Sequence, residues 1–235
     1  MTRIILTMDV HRRRCRQNLG LDKKLPPLPH MSSKYALSVA WTEQDAVVSH
    51  DLARIKGMHP RNCRRILMRY SAHQPRYGYI QGQLYLLRGL GAVCKDEKLL
   101  FWAFVQLCRY VAPYGPLGVE CNMRAARIPD WVLDRMQGDV DRTVLSYFVR
   151  FRWLFILCGQ SCPEPRFLWA VWDYVLQSHT HALRFASAML EYFDEMYRDQ
   201  YPYSSERIPY VFAGQLDSEE KVANILARAH MLSHK

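Results

Sequence analysis

The chain has 235 residues, 49% of them hydrophobic and 12% aromatic, and this composition excludes a disordered chain and allows a substantial buried core. Lys and Arg number 32 against 22 Asp and Glu. The resulting formal charge of +10 favours an acidic partner such as nucleic acid, an anionic membrane or an acidic protein surface.

Cysteine usage and hydropathy indicate the compartment. The seven cysteines form no CxxC pair, which is typical of a reduced intracellular protein, and the nine histidines are too scattered for a zinc site. We expect no metal. The sequence shows no secretory signal and no apolar run of bilayer length, so we expect a soluble, cytoplasmic chain.

The chain begins with a basic segment. Residues 1–24 hold seven basic and two acidic side chains, and seven minus two gives +5, half of the net charge. A solvated cationic tail is one interpretation of such a segment. The Pro-rich stretch 25–30 follows and is typical of a linker. We therefore predict a basic arm at 1–31 and a helical domain at 32–235.

Helical spacing of apolar residues continues through that domain, and no alternating run predicts a strand. Thr42-x-x-Asp45 is typical of a capping box, and we expect a helix from Thr42 to Gly57. Pro60 fits the first turn of the next helix. Further helices are predicted at 82–94 and 96–111. The fold class predicted is all-α.

A segment with two prolines and two glycines, residues 112–126, is the predicted boundary between halves at 32–113 and 114–235. The second half is predicted to hold helices at 129–136, 139–150 and 180–197, and a last one capped by Asp217 and ending near residue 232. Its tryptophans at helical spacing predict core packing. Asp173, beside them, is a candidate partner for an arginine of the first half.

The loop Tyr79-Ile80-Gln81-Gly82 is the most informative stretch. Pro75 ends one helix and a glycine lies on either side of Tyr79-Ile80-Gln81, so we expect a tight turn that holds Gln81 at the start of the next helix. An amide there can orient a water molecule or bind another protein. An ordinary joint between two helices is the alternative interpretation.

This loop resembles the YxQ signature of the TBC family, whose members are GTPase-activating domains for Rab proteins. Three more blocks resemble helices of that family in the same order, from about residue 60 to 195: 64–70, 151–155 and 167–173. The details are most similar to the branch whose members often carry a C-terminal membrane anchor, with the N-terminal part abbreviated. The resemblance implies a domain of two packed helical halves.

The resemblance also implies two fingers supplied in trans, an arginine and a glutamine. Leu6-x-x-Asp9-x-x-Arg12 resembles the family's IxxDxxR motif, which gives Arg12 and Gln81 as catalytic residues with Asp9, Tyr79 and Gly82 in support. A second copy, Val48-x-x-Asp51-x-x-Arg54, gives Arg54 as the alternative finger with Asp51 beside it. We favour Arg12 because residues 8–12 match the family better, although 81 − 12 = 69 residues separate it from Gln81, against 81 − 54 = 27 for Arg54.

The implied partner is a Rab-type small GTPase, and the chain needs no cofactor of its own because GTP and Mg²⁺ belong to that partner. The basic arm allows a peripheral contact with an anionic endomembrane. One alternative is a TBC-like adaptor without catalytic activity, because Gln83-Leu84-Tyr85 replaces the residues usual after the glutamine and the usual proline after the arginine is missing. A basic helical nucleic-acid-binding protein is the least favoured, because few aromatic residues accompany the basic clusters.

Overall fold

A computed structural model of the chain describes residues 8–30, 39–54, 59–75, 78–92, 94, 96–116 and 128–232. The described residues form α-helices, a 3₁₀-helix at Ala112–Tyr114, a π-helix at Val149–Leu154 and turns, and contain no strand, so the all-α prediction is confirmed. The helices are α1 (Met8–Asn18), α2 (Val39–Arg54), α3 (Pro60–His73), α4 (Gln83–Gly91), α5 (Glu97–Val111), α6 (Asp130–Leu133), α7 (Arg142–Phe148), α8 (Pro165–Val175), α9 (His179–Arg198), α10 (Ser204–Ala213) and α11 (Glu219–Met231).

Two predicted helix caps are wrong. Helix α2 begins at Val39, so Thr42 lies inside it; the apolar residues before Thr42 extend the helix by one turn. Its predicted end at Gly57 lies outside the described residues. Helix α11 is capped by Ser218, whose hydroxyl accepts from the Lys221 backbone N–H at 3.3 Å, while Asp217 binds the Lys221 ammonium at 2.8 Å.

Contacts within the chain define two compact units. One comprises Leu19–Tyr110, and the other combines Met1–Asn18 with Val111–Lys235. In the first unit α2 packs against α3 and α4, and the Tyr70 and Phe104 rings meet edge to face at 5.0 Å. The core of this unit therefore supports the connection between α3 and α4.

The second unit is built around tryptophans of the segment before α8 and of α8 itself. Trp153, Trp169 and Trp172 are fully buried, which confirms their predicted packing role. The Trp172 indole donates to the Leu157 carbonyl at 2.9 Å. Helix α9 packs on α8, α10 and α11, so one long helix joins the C-terminal elements to this core.

Helix α1 packs against α8. His11 Nδ1 lies 2.8 Å from the Asp173 carboxylate, Arg14 donates to the same oxygen at 3.4 Å, and the Cys15 thiol lies 3.8 Å from the Trp169 carbonyl. Asp173 pairs with an arginine, but Arg14 belongs to the N-terminal segment and not to the half at 32–113 from which the sequence predicted this partner, and the closer partner is a histidine. The part of the basic segment from Met8 to Asn18 is thus helical.

Acid should destabilise this second unit through the histidines at the start of α9. Burial lowers the pKa of His179 and of His181, and the charges of Arg184 and His230 lower the pKa of His181 further. Below about pH 6.5 the unfolded chain binds protons that the folded chain does not, so stability is full above that pH and falls as pH drops toward the lowered pKa values. Urea unfolding measured over this range tests the expectation.

The matched variants separate these groups from the other histidines. His179→Gln with His181→Gln is expected to flatten the loss of stability below about pH 6.5. His59→Gln removes an exposed histidine and should leave the loss of stability below about pH 6.5 unchanged. An equal acid dependence in the wild type and the double variant would show that the two imidazoles do not cause it.

Candidate functional site

The loop between α3 and α4 has the tight geometry that its glycines allow. Gly78 has φ 55° and Gly82 has φ 97°, both in the left-handed region that disfavours other residues. Gly82 is the residue from which α4 starts, and Gln81, just before it, is exposed. The predicted turn, with the Gln81 side chain at the start of a helix, is what the structure shows.

Asp51 of α2 accepts hydrogen bonds from three groups of this loop. Its buried carboxylate accepts the Tyr79 hydroxyl, the Gly82 backbone N–H at 3.4 Å and the Gln81 side-chain amide at 3.4 Å. Val48, one turn earlier on the same side of α2, is fully buried and fixes that side of the helix against the core. The loop is therefore tied to α2 through one carboxylate.

Tyr79 remains a hydrogen-bond donor over the physiological range. Burial raises the pKa of its phenol strongly, and the hydrogen bond to Asp51 raises that pKa further because the charged carboxylate disfavours a second negative charge. The phenol of Tyr79 therefore keeps its proton and donates a hydrogen bond to the Asp51 carboxylate.

Gln83 closes the turn, a role that sequence reasoning missed. Its side chain is 2% exposed, and its amide oxygen accepts from the Ile80 backbone N–H at 3.0 Å. From the sequence, Gln83 was interpreted only as a departure from the family pattern. The sequence signal for this role was the spacing: the Gln83 amide lies three residues after Ile80, a distance typical of a side chain that caps a backbone N–H of a turn.

The two arginine candidates lie in different units. Arg54 ends α2 three residues after Asp51, so the two positions share one side of the helix beside the Gln81 loop. Arg12 is half-buried and Asp9 is exposed on α1, which belongs to the unit with Asp173. Among the predicted site residues, the structure brings together Asp51, Tyr79, Gln81 and Gly82.

Replacing the shared acceptor should loosen the loop. Asp51→Asn substitutes an N–H₂ group for one accepting oxygen and removes the charge, so some of the donors lose their partner. We expect the free energy of unfolding to fall by about 1–3 kcal/mol, measured by urea denaturation. Asp22→Asn, at an exposed position of the same unit, is the control. Equal stability of the two variants would contradict a holding role for Asp51.

The described residues contain no group of three or more His, Cys, Asp or Glu side chains that could hold a metal ion. In that same part of the chain, no helix combines the length and apolarity needed to cross a bilayer.

Residues 43–115 match the family model of the Rab-GTPase-TBC domain, a segment that includes Asp51, Arg54 and Gln81. Over 55 residues the chain is 42% identical to the GTPase-activating protein GYP7 of Debaryomyces hansenii. These aligned residues make up 23% of this chain and only 7% of the length of that protein. The fold is similar to that of the Chlamydomonas flagellar RabGAP TBC domain, with a TM-score of 0.60 and 17% identity over 98% of this chain and 82% of that one. The chain is thus similar to the Rab-GTPase-TBC domain family over residues 43–115 and shares the fold of a TBC domain.

Proposed function

We propose that this chain activates GTP hydrolysis by a Rab-type small GTPase, with Arg54 and Gln81 inserted into the partner's nucleotide site. The observation that carries the proposal is the binding of Tyr79, Gln81 and Gly82 by the single carboxylate of Asp51, on the helix that ends at Arg54. The matched family segment contains all five residues.

The chemistry requires a cation and an oriented water. In the transition state of phosphoryl transfer, negative charge spreads over the oxygens of the γ-phosphoryl group, and a guanidinium placed against them stabilises it. The amide of Gln81 offers two donors and one acceptor, which suits it to align an attacking water between itself and the phosphorus. Because Gln81 is exposed at the start of α4, a partner can reach it.

Asp51 has a positioning role in this proposal. Its contact with the Gln81 amide limits the rotamers that the glutamine samples before binding, which lowers the ordering cost on association. The buried contact with the Tyr79 phenol fixes the loop backbone on the other side of Gln81. The same residue therefore supports the loop and adjoins the helix end that carries Arg54.

Two observations favour Arg54 over Arg12, the residue preferred from the sequence. Asp51, three residues before Arg54, binds Gln81, whereas His11 and Arg14 beside Arg12 bind Asp173 of α8. The family match begins at residue 43, after Arg12 and before Arg54. We therefore assign the arginine finger to Arg54 and keep Arg12 as the comparison. GTP and Mg²⁺ would enter with the partner.

Phosphate release from a panel of GTP-loaded Rab GTPases tests the proposal. The wild type should accelerate release from at least one of them, and Gln81→Ala should lose that acceleration. Gln17→Ala, an exposed glutamine on α1, is the matched control and should retain it. No acceleration across the panel, together with binding to a Rab, would replace the proposal with the adaptor function.

A further inference from the structure

The outward face of α1 carries arginines without acidic partners. Arg13 is exposed, Arg12 and Arg16 are half-buried, and no carboxylate in the described part of the chain forms an ion pair with any of the three. Arg14, by contrast, binds Asp173. The helix is thus divided into a paired side and an unpaired side.

The packing of α1 determines which way these arginines point. His11 and Cys15, four residues apart, are both buried and contact α8 through Asp173 and the Trp169 carbonyl. With about 100° of rotation per residue, Arg13 lies opposite the midpoint of that buried pair, at about 180°, and Arg16 lies about 120° from it. The buried pair therefore turns Arg13 directly away from α8, whereas Arg16, half-buried and with its Nε buried, lies at the side of the helix.

The chemistry of this outward face is electrostatic. Asp9, Val10, Arg13, Arg16 and Gln17 lie on it, and Arg12 lies at its edge, about 80° from the buried pair. Counted with Arg12, the face holds three positive charges and one negative charge, and its one apolar side chain is a valine. Helices that insert into a bilayer bring Trp, Phe or Leu to the interface, and this face has none. A partner of this face would have to be an extended anionic surface to which the arginines bind without insertion of the helix.

We propose that the outward face of α1 binds the surface of a membrane that contains anionic phospholipids. The helix lies on its side against α8 and is about 16 Å long, so its arginines meet a flat surface lengthwise. Single-stranded nucleic acid would be favoured instead by aromatic side chains on which bases stack, and the face carries none. Each arginine near such a membrane strengthens binding about fivefold, and high salt weakens it.

Co-sedimentation with vesicles tests the proposal. The wild type should bind vesicles of equal parts phosphatidylserine and phosphatidylcholine and leave phosphatidylcholine vesicles unbound. Arg13→Gln with Arg16→Gln should reduce binding about 25-fold, whereas Arg61→Gln with Arg152→Gln, exposed arginines on other elements, should reduce it far less. Arg12 is left in place because it is the comparison residue for the finger.

A variant that binds more tightly than the wild type excludes misfolding as the cause of the effect, which a loss of binding in the double variant does not. Asp9→Asn removes the negative charge from the face and should strengthen vesicle binding about fivefold. Absence of binding to the anionic vesicles, equal losses in the two double variants, or tighter binding to duplex DNA or single-stranded RNA than to vesicles would each overturn the proposal. None of these readouts depends on GTP hydrolysis.

Discussion

Replacing Arg54 by alanine is expected to lower the Rab GTPase rate reached in the presence of this protein by a factor of about 10³ to 10⁵, the contribution of an arginine finger supplied in trans. That range corresponds to about 4 to 7 kcal/mol of barrier. The loss arises in the chemical step, because the guanidinium acts on charge that develops only in the transition state. Single-turnover phosphate release, with the Rab that responds best to the wild type, measures it.

Arg54→Lys should fail almost as completely as Arg54→Ala. A lysine ammonium is a point charge, whereas the planar guanidinium presents several donors to two phosphoryl oxygens at once. A rate for the lysine variant close to that of the wild type would show that position 54 supplies only general positive charge.

Arg12→Ala is the matched control for the finger. We expect this variant to retain acceleration, because Arg12 lies on α1, where neighbouring residues bind Asp173, and outside the matched family segment. Loss of acceleration in Arg12→Ala with retention in Arg54→Ala would assign the finger to Arg12, as the sequence alone suggested. Binding of all variants to the GTP-loaded Rab distinguishes a lost finger from a lost complex.

The sequence predicted the local features of the site well. Proline and glycine act on their own backbone, so Pro75, Gly78 and Gly82 were sufficient to place the Gln81 turn between two helices. Apolar spacing likewise predicted an all-α fold and the buried tryptophans, because a helical face is determined by residues three and four apart.

The choice between two copies of one motif could not be made from sequence in the same way. Asp9-x-x-Arg12 and Asp51-x-x-Arg54 have the same internal spacing, and only the packing of α2 against α4 shows that Asp51 contacts Gln81, 30 positions away in the chain. Distance along the chain was a poor guide because it carries no information on how helices pack. The same reason hid the pairing of Asp173 with His11.

Arg207 was also missed, because an arginine in a helix usually lies at the surface with its guanidinium in water. Here the side chain is 2% exposed and meets Asp194, itself fully buried, at 2.8 Å. Its remaining N–H groups donate to the carbonyls of Tyr201 at 2.8 Å, Pro202 at 2.7 Å and Gln137 at 2.6 Å. One guanidinium therefore joins α9, α10 and the segment after α6.

Replacing Arg207 by methionine is expected to lower the free energy of unfolding by about 3–5 kcal/mol, because it removes the partner of one oxygen of the buried Asp194 carboxylate and the Arg207 donor of three carbonyls. Arg198 and the Gln137 backbone N–H then remain as partners of Asp194. In a chain of this size such a loss corresponds to a fall in Tm of about 6–20 °C, measured by calorimetry. Arg207→Lys should lose most of the same stability, since one ammonium cannot reach partners that lie in such different directions.

Arg142→Met distinguishes burial from charge as the cause. Arg142 also binds two carboxylates, those of Asp130 and Asp134, but its side chain is more than half exposed, and exposed ion pairs contribute little to stability. The Tm of the Arg142→Met variant should therefore stay close to that of the wild type. Equal falls in the Arg142→Met and Arg207→Met variants would mean that the general loss of positive charge, and not the buried network around Asp194, determines the stability of this unit.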